Sequence, residues 1–370
     1  MYHPNHTEDV PEDFQHVTRT PVVYFKGSLQ GDEYYNISQE NIIWKQDKLP
    51  RARCNEKCPP GFHKAAKENS EICYKCPEDK WPDKDRVRCV SKIQEFLSYR
   101  DDPLVLVALS TSLSFCIMTI FITGSLMYFW DTPVVKANNR TVSFILLTSI
   151  LLSFLCVFLF LGRPVDITCM LRQVAFGIFF TIAVSSVLAK TITVCIAFKA
   201  TKPGSSWNRW VTVKLSNSIV FSCSSVQVLI CTIWLSVSPP YQENDMSSSP
   251  GIIIIQCNEG SVIGFYSVLG YMGFLAGVSL VLAFMVRTLP DSFNEAKYIT
   301  FSMLVFCSVW IAMIPAYVST RGKYMVAVEV FAILASSAGI LGCIFLPKLY
   351  ILLMEPDLHS RKLVLHKYSS

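Results

Sequence analysis

Between Asp102 and Asp131 the chain runs 28 residues without a charge. Five further runs follow, bounded by Arg140 and Arg163, Arg172 and Lys190, Lys214 and Glu243, Glu259 and Arg287, and Lys297 and Arg321. They enclose 22, 17, 28, 27 and 23 uncharged residues. A seventh starts near Tyr324 and reaches Met354, interrupted by Glu329 and Lys348. Crossing ~30 Å of hydrocarbon takes about 20 apolar residues of helix. Lipid offers no partners to backbone N–H and C=O groups, so each run must satisfy them internally as an α-helix. Strands of a membrane barrel are about ten residues long and alternate in polarity, and these runs do neither. The expected fold is an all-α membrane protein: a seven-transmembrane bundle over 103–354 with a small extracellular N-terminal segment.

Charge supports this reading. Charged residues make up 16% of the chain, against about 25% for a soluble domain. Residues 1–103 carry a net −2 and residues 104–370 a net +7. A single soluble globule, a disordered tail protein and a nucleic-acid binder are excluded. The basic excess belongs to membrane flanks. Seven crossings put the termini on opposite sides. With the N-terminus outside, the inner segments hold twelve Lys and Arg and the outer loops three, the bias expected of an extracellular N-terminus. The first flank alone runs the other way, with Arg88, Lys92 and Arg100 before the span and Lys136 and Arg140 after it. The sum over six loops is the stronger signal.

Residues 1–19 contain no apolar stretch of signal-peptide type, so either the first span serves as the export signal for the segment before it or the chain is a truncated product of a longer precursor, the second being the expectation. Residues 22–49 hold short β-like pieces separated by polar turns, suited to the end of a larger fold. Sequons at Asn5 and Asn36 fit extracellular glycosylation, while one at Asn139 falls in an inner loop. Cys54, Cys58, Cys73, Cys76 and Cys89 follow in the pattern C-x3-C-x14-C-x2-C-x12-C. So small and aliphatic-poor a segment needs disulfides or a metal. The C-x2-C pair is compatible with zinc; the oxidising side of the membrane favours disulfides. Five is odd, which leaves at least one thiol bonded elsewhere or free.

Within the spans, Cys169 stands at the outer start of the third helix and Cys257 in the loop before the fifth. One disulfide can pin that loop over the bundle mouth. Lys190 lies 21 residues beyond Cys169, roughly 31 Å along a helix, at the cytoplasmic end. Glu295 opens the sixth helix at the same level. The two either pair across the helices as a resting-state lock or each snorkel to water. Glu329 reads as interfacial, with a ligand role as the alternative. Trp310, fifteen residues after Glu295, lies near mid-bilayer. No H-E-x-x-H, G-x-S-x-G or G-x-x-x-x-G-K-[ST] occurs. The chain therefore reads as a non-enzyme with no cofactor or resident metal.

The runs FNEAKYITFSMLVFCSVW, DTPVVKANNR, VLAKTITV and FLPKLYIL resemble class C (family 3) G-protein-coupled receptors. ASSAGILGCIFLPK and the SPPY after the fourth helix are most similar to vomeronasal type-2 pheromone receptors. The resemblance implies a dimer whose bilobed clamshell domain, cysteine-rich domain and seven-helix domain follow in order. It implies a Cys169–Cys257 disulfide, a Lys190–Glu295 lock, a switch at Trp310, and a helix-7 motif of Pro347, Lys348 and Tyr350. Asn138 or Asn139 stands where relatives often have a serine near the lock. On this pattern, 1–50 is a remnant of the clamshell's end, 51–98 a truncated cysteine-rich domain, 103–354 the membrane domain and 355–370 a cytoplasmic tail. The implied function is a vomeronasal pheromone receptor at the plasma membrane. It transmits the signal of an extracellular peptide or small molecule to a heterotrimeric G protein of the Gi/o class. A truncated, non-signalling dimerisation partner of full-length relatives is the alternative.

Asn5 and Asn36 should carry glycans on intact cells and Asn139 should not. A glycosidase mobility shift that is lost in Asn5→Gln/Asn36→Gln and kept in Asn139→Gln checks this; a shift that depends on Asn139 inverts the topology.

Overall fold

The computed structural model describes residues 23–26, 34–37, 58–64, 73–99, 102–132, 135, 139–200, 213–287 and 294–354. Seven helices among them are long and apolar enough to cross a membrane. These are α1 (Pro103–Tyr128), α2 (Arg140–Phe160), α3 (Asp166–Ala200), α4 (Val213–Val237), α5 (Val262–Val286), α6 (Asn294–Ser319) and α7 (Lys323–Met354). The chain is a seven-transmembrane helix bundle.

The described part of Met1–Cys76 with Pro82–Cys89 forms the smaller of two compact units. In it β1 (Val23–Lys26) pairs antiparallel with β2 (Tyr34–Ile37), and β3 (Phe62–Lys64) with β4 (Cys73–Lys75). Disulfides Cys58–Cys73 and Cys76–Cys89 cross-link it. A fragment this short has little apolar surface to bury, so covalent closure substitutes for a core. Two further short strands, β5 (Lys80–Pro82) and β6 (Cys89–Ser91), make a two-stranded sheet.

The larger unit holds the bundle and a three-stranded sheet of β7 (Ile93–Glu95), β8 (Tyr241–Asp245) and β9 (Ile252–Asn258), in the order β7-β9-β8. The β8–β9 hairpin joins α4 to α5. The segment just before α1 adds to it as a parallel strand, with Ile93 opposite Ile252 and Glu95 opposite Ile254. Central β9 buries Ile253, Ile254 and Ile255 in succession, as a strand covered on both faces does.

In the bundle α3 is central, packing on α2, α4 and α5; α7 packs on α6, α2 and α1. The helices are apolar all round, so greasiness cannot say which face turns inward. Small polar residues can. Ser112, Ser149, Ser153, Ser185, Ser279, Ser302 and Ser336 are buried, while Phe121, Phe221, Phe274, Phe301 and Phe331 are exposed on the outer surface. Small side chains let helices approach closely, and their hydroxyls find carbonyls. Ser112 Oγ on α1, for instance, donates to the Phe154 carbonyl of α2 at 2.8 Å.

Gly264 shows how tight one contact is. Trp234 of α4 lies against it and donates its indole N–H to the Glu259 carbonyl at 3.2 Å, and a Cβ on Gly264 would collide with the indole ring. Gly264→Val should destabilise the α4–α5 contact by about 1–3 kcal/mol, the usual cost of overpacking. Thermal unfolding of the purified chain should fall accordingly, with Gly270→Ala, where a Cβ meets open space, as the neutral control.

Candidate functional site

The densest charge cluster inside the bundle lies at the end of α3 opposite the sheet. Lys190 of α3 is 3% exposed and sits 3.7 Å from Glu295 Oε1 of α6. The same oxygen accepts a 2.6 Å hydrogen bond from Lys348 Nζ of α7. Lys190 also donates to Ser143 Oγ of α2 at 2.8 Å. The spacing argument brings Lys190 and Glu295 to one level. The structure adds Lys348, whose bond to Glu295 is the shorter of the two. Four helices thus converge on one carboxylate and one hydroxyl. Each position has a local cause. Glu295 falls in the first turn of α6, where the helix N-terminus favours an anion. Lys348 follows Pro347, which cannot donate to the carbonyl four residues back and so disturbs the last stretch of α7. The hydroxyl that meets Lys190 is that of Ser143, whereas the resemblance put Asn138 or Asn139 near the lock. Asn139 instead caps α2 in a left-handed conformation, φ 49°, which asparagine tolerates well. Asn138 lies outside the described residues.

At the other end of α3 the Cys169–Cys257 disulfide joins its first turns to β9. Through β9 the helix is tied to β7, the strand that leads into α1. A second tie runs from β7 to α7. Lys323 Nζ donates to Asp102 Oδ1 at 2.7 Å and lies 3.8 Å from Glu95. Asp102 also accepts the Ser98 N–H at 3.2 Å. The Lys323 hydrogen bond, helped by that of Ser98, holds the Asp102 carboxyl below its usual range. Two independent links therefore couple the segment before α1 to the bundle, one to α3 and one to α7.

Between the two ends Trp310 packs in an aromatic cluster. Its ring centroid lies 5.4 Å from Phe176, 5.8 Å from Phe180 and 6.2 Å from Phe306. It faces the bundle, not lipid. Beside it is a cavity of about 20 Å³, bounded by Gln173, Phe176, Met313 and Glu329 among others, roughly the room of one water molecule. Glu329 corrects the sequence reading: it is 7% exposed and faces the interior, because its turn of α7 points at α3 and α6. Its Oε2 and the Trp310 indole nitrogen both lack a hydrogen-bond partner among the described residues.

The remaining candidates are placed as follows. Cys58 bonds Cys73 and Cys76 bonds Cys89; Cys54 lies outside the described residues, as does Asn5. His63 Nδ1 is 3.1 Å from Cys89 Sγ and 3.7 Å from Cys76 Sγ. Those sulfurs form a disulfide and so cannot serve as thiolate ligands for zinc. Asn36 lies in β2. Pro347 is inside α7, and Tyr350 points outward.

Residues 98–348 match the family described as the 7 transmembrane sweet-taste receptor of 3 GCPR. The chain is 47% identical to vomeronasal type-2 receptor 26 of Mus musculus, over 94% of this chain and 43% of the relative. It is 42% identical to vomeronasal type-2 receptor 116 of the same species, over 95% of this chain and 44% of that one. It is 38% identical to the extracellular calcium-sensing receptor of Homo sapiens, over 94% of this chain and 34% of the relative. The chain therefore spans between a third and a half of the length of these curated relatives.

The Asp102–Lys323 tie yields a pH expectation. A depressed carboxyl pKa contributes stability above the unfolded value and loses it as pH falls through the folded one. The tie should thus hold unchanged between about pH 5 and 8 and fail only in acid below about 3.9. Asp102→Asn should speed amide hydrogen exchange across 95–99 at neutral pH. Equal exchange in wild type and variant would contradict this.

Proposed function

The chain belongs to the class C (family 3) G-protein-coupled receptors, which are receptors and not enzymes, and on that premise we propose that it is a pheromone receptor of the vomeronasal type-2 kind. In this reading it sits in the plasma membrane with its N-terminus outside, pairs with a second class C chain, and passes an extracellular signal to a heterotrimeric G protein of the Gi/o class. The observation that carries the reading is the shared Glu295 carboxylate, bound by Lys190 from α3 and Lys348 from α7.

The geometry supplies a route. Force on the segment before α1 reaches β9 through the β7–β9 ladder. The Cys169–Cys257 bond passes it to the head of α3. A helix is stiff, and Lys190 lies 21 residues farther along it, roughly 31 Å. A tilt or turn of α3 at its head therefore displaces Lys190 relative to Glu295. The Lys323–Asp102 tie delivers the same displacement to α7, which carries Lys348. Removing one partner from a charge cluster this buried leaves the others uncompensated, a cost of several kcal/mol, so the inner ends of α3, α6 and α7 separate together. Trp310 and Glu329 border the small cavity between this lock and the sheet, where a ligand entering the bundle meets them. A ligand acts on the equilibrium only through its different affinity for the closed and open arrangements.

Basal nucleotide exchange on a purified Gi/o heterotrimer tests the lock. Glu295→Gln frees both lysines and should raise basal exchange roughly tenfold, equivalent to about 1.4 kcal/mol of bias. Lys190→Glu should raise it, and inverting the whole cluster, Lys190→Glu/Glu295→Lys/Lys348→Glu, should bring it back down, since Glu295→Lys alone would face Lys348. A triple variant no quieter than Lys190→Glu refutes the lock. Silence in every form favours the non-signalling dimerisation partner.

A further inference from the structure

Two buried polar atoms on neighbouring helices stand in the same position. Trp310 Nε1 of α6 and Glu329 Oε2 of α7 are shut off from the surface, and neither has a hydrogen-bond partner among the described residues. Native proteins seldom leave buried polar groups in this state, because burial strips their hydration and gives nothing back. Both residues bound one cavity of about 20 Å³. Gln173 of α3, 5% exposed, bounds it from a third helix and brings an amide that can donate or accept. The remaining walls, among them Phe160, Phe265 and Ile333, are apolar. Two orphaned atoms on the walls of one cavity point to a partner held in common.

Chemistry and size select that partner. An indole N–H only donates, so the occupant must accept a hydrogen bond. An ionised carboxylate only accepts, so the occupant must also donate. A metal ion or an ammonium group cannot accept from Trp310. An anion would face the Glu329 carboxylate. A hydroxyl does both, and the room decides which hydroxyl. A water molecule needs about 10–15 Å³ of such space, so 20 Å³ holds one water and leaves no place for a carbon chain. Water also meets the demand if Glu329 is protonated, since its two lone pairs can accept from the carboxyl and the indole while it donates to the Gln173 amide oxygen. The three polar side chains give it the two to four partners that a buried water requires.

We propose that this cavity binds one long-lived water molecule, held by Trp310, Glu329 and Gln173. That water joins α6, α7 and α3. The same three helices meet at the Glu295 carboxylate, through Lys348 of α7 and Lys190 of α3. They are thus tied a second time, by hydrogen bonds in place of ion pairs. The bond to Nε1 also fixes the rotation of the indole within its cluster of Phe176, Phe180 and Phe306. A group that displaces the water must reproduce its hydrogen bonds or lose affinity. The inference needs neither the topology nor the signalling role proposed above.

The test is water-selective NMR of the full chain in nanodiscs, deuterated and labelled with ¹⁵N at its tryptophan indoles. Trp310→Phe identifies the Trp310 signal by its disappearance. In wild type the Trp310 indole proton should show NOE and ROE cross-peaks to water of opposite sign, the mark of a water held far longer than a hydration-shell molecule. Direct exchange with solvent gives equal signs. Glu329→Gln should keep the cross-peaks, because the amide oxygen still accepts and no carboxyl proton remains to relay them. Gln173→Leu/Glu329→Leu should lose them, because an apolar cavity of this size stays dry. Absence of the opposite-sign pair in wild type overturns the site without recourse to any variant. Loss of it in Glu329→Gln, or its persistence in the double variant, overturns it as well.

Discussion

One carboxylate shared by two ammonium groups closes the far end of this bundle. Lipid-exposed seams between apolar helices have no hydrophobic driving force, since lipid is as greasy as the side chains it meets. A charged contact in the same place is different. Lys190 and Lys348 cannot be left without partners in a poorly solvated interior except at a cost of several kcal/mol. Glu295 therefore fixes the mutual position of α3, α6 and α7 more sharply than the surrounding packing could. On the proposed reading that same cost makes the cluster a two-position device: once the carboxylate leaves, both cations need another solution, and water is the available one.

The other end is organised by covalent and backbone bonds. A disulfide holds β9 on α3, and a parallel strand pair holds β9 to the segment before α1. Lys323 adds an ionic tie from that segment to α7. The bundle is gripped at its two ends by chemically different means, with the aromatic cluster around Trp310 between them. A stiff connection at one end and a breakable one at the other is the arrangement a transmitted displacement requires.

Much of this was legible in the residues. The seven spans follow from the need to satisfy backbone groups in lipid, and counting 1.5 Å per residue placed Lys190 and Glu295 at one depth. Depth is all that such counting gives. It does not give rotation about the helix axis, so Glu329 reads as interfacial when its side chain in fact turns inward. Nor does it show that Lys348, next to Pro347 in α7, reaches Glu295 more closely than Lys190 does. The β7–β9 pairing was invisible for a different reason. It joins Ile93–Glu95 to a strand more than 150 residues later, and no local pattern in three residues announces a partner so remote. The run IIIIQC reads as a loop segment with a cysteine until a second strand is laid beside it. Ser143 was missed because one serine among many in an apolar helix carries no signal of its own.

The central claim is that Glu295 holds the inner ends of α3 and α6 together. The most direct measurement is a spin-label distance between Ile196 and Tyr298 in the full chain, with the membrane-embedded free cysteines replaced. Wild type should give one short, narrow distribution, and Glu295→Gln should shift it outward by several ångströms or add a longer component. An unchanged distribution would mean that packing alone sets the separation, and the account of the lock would be wrong.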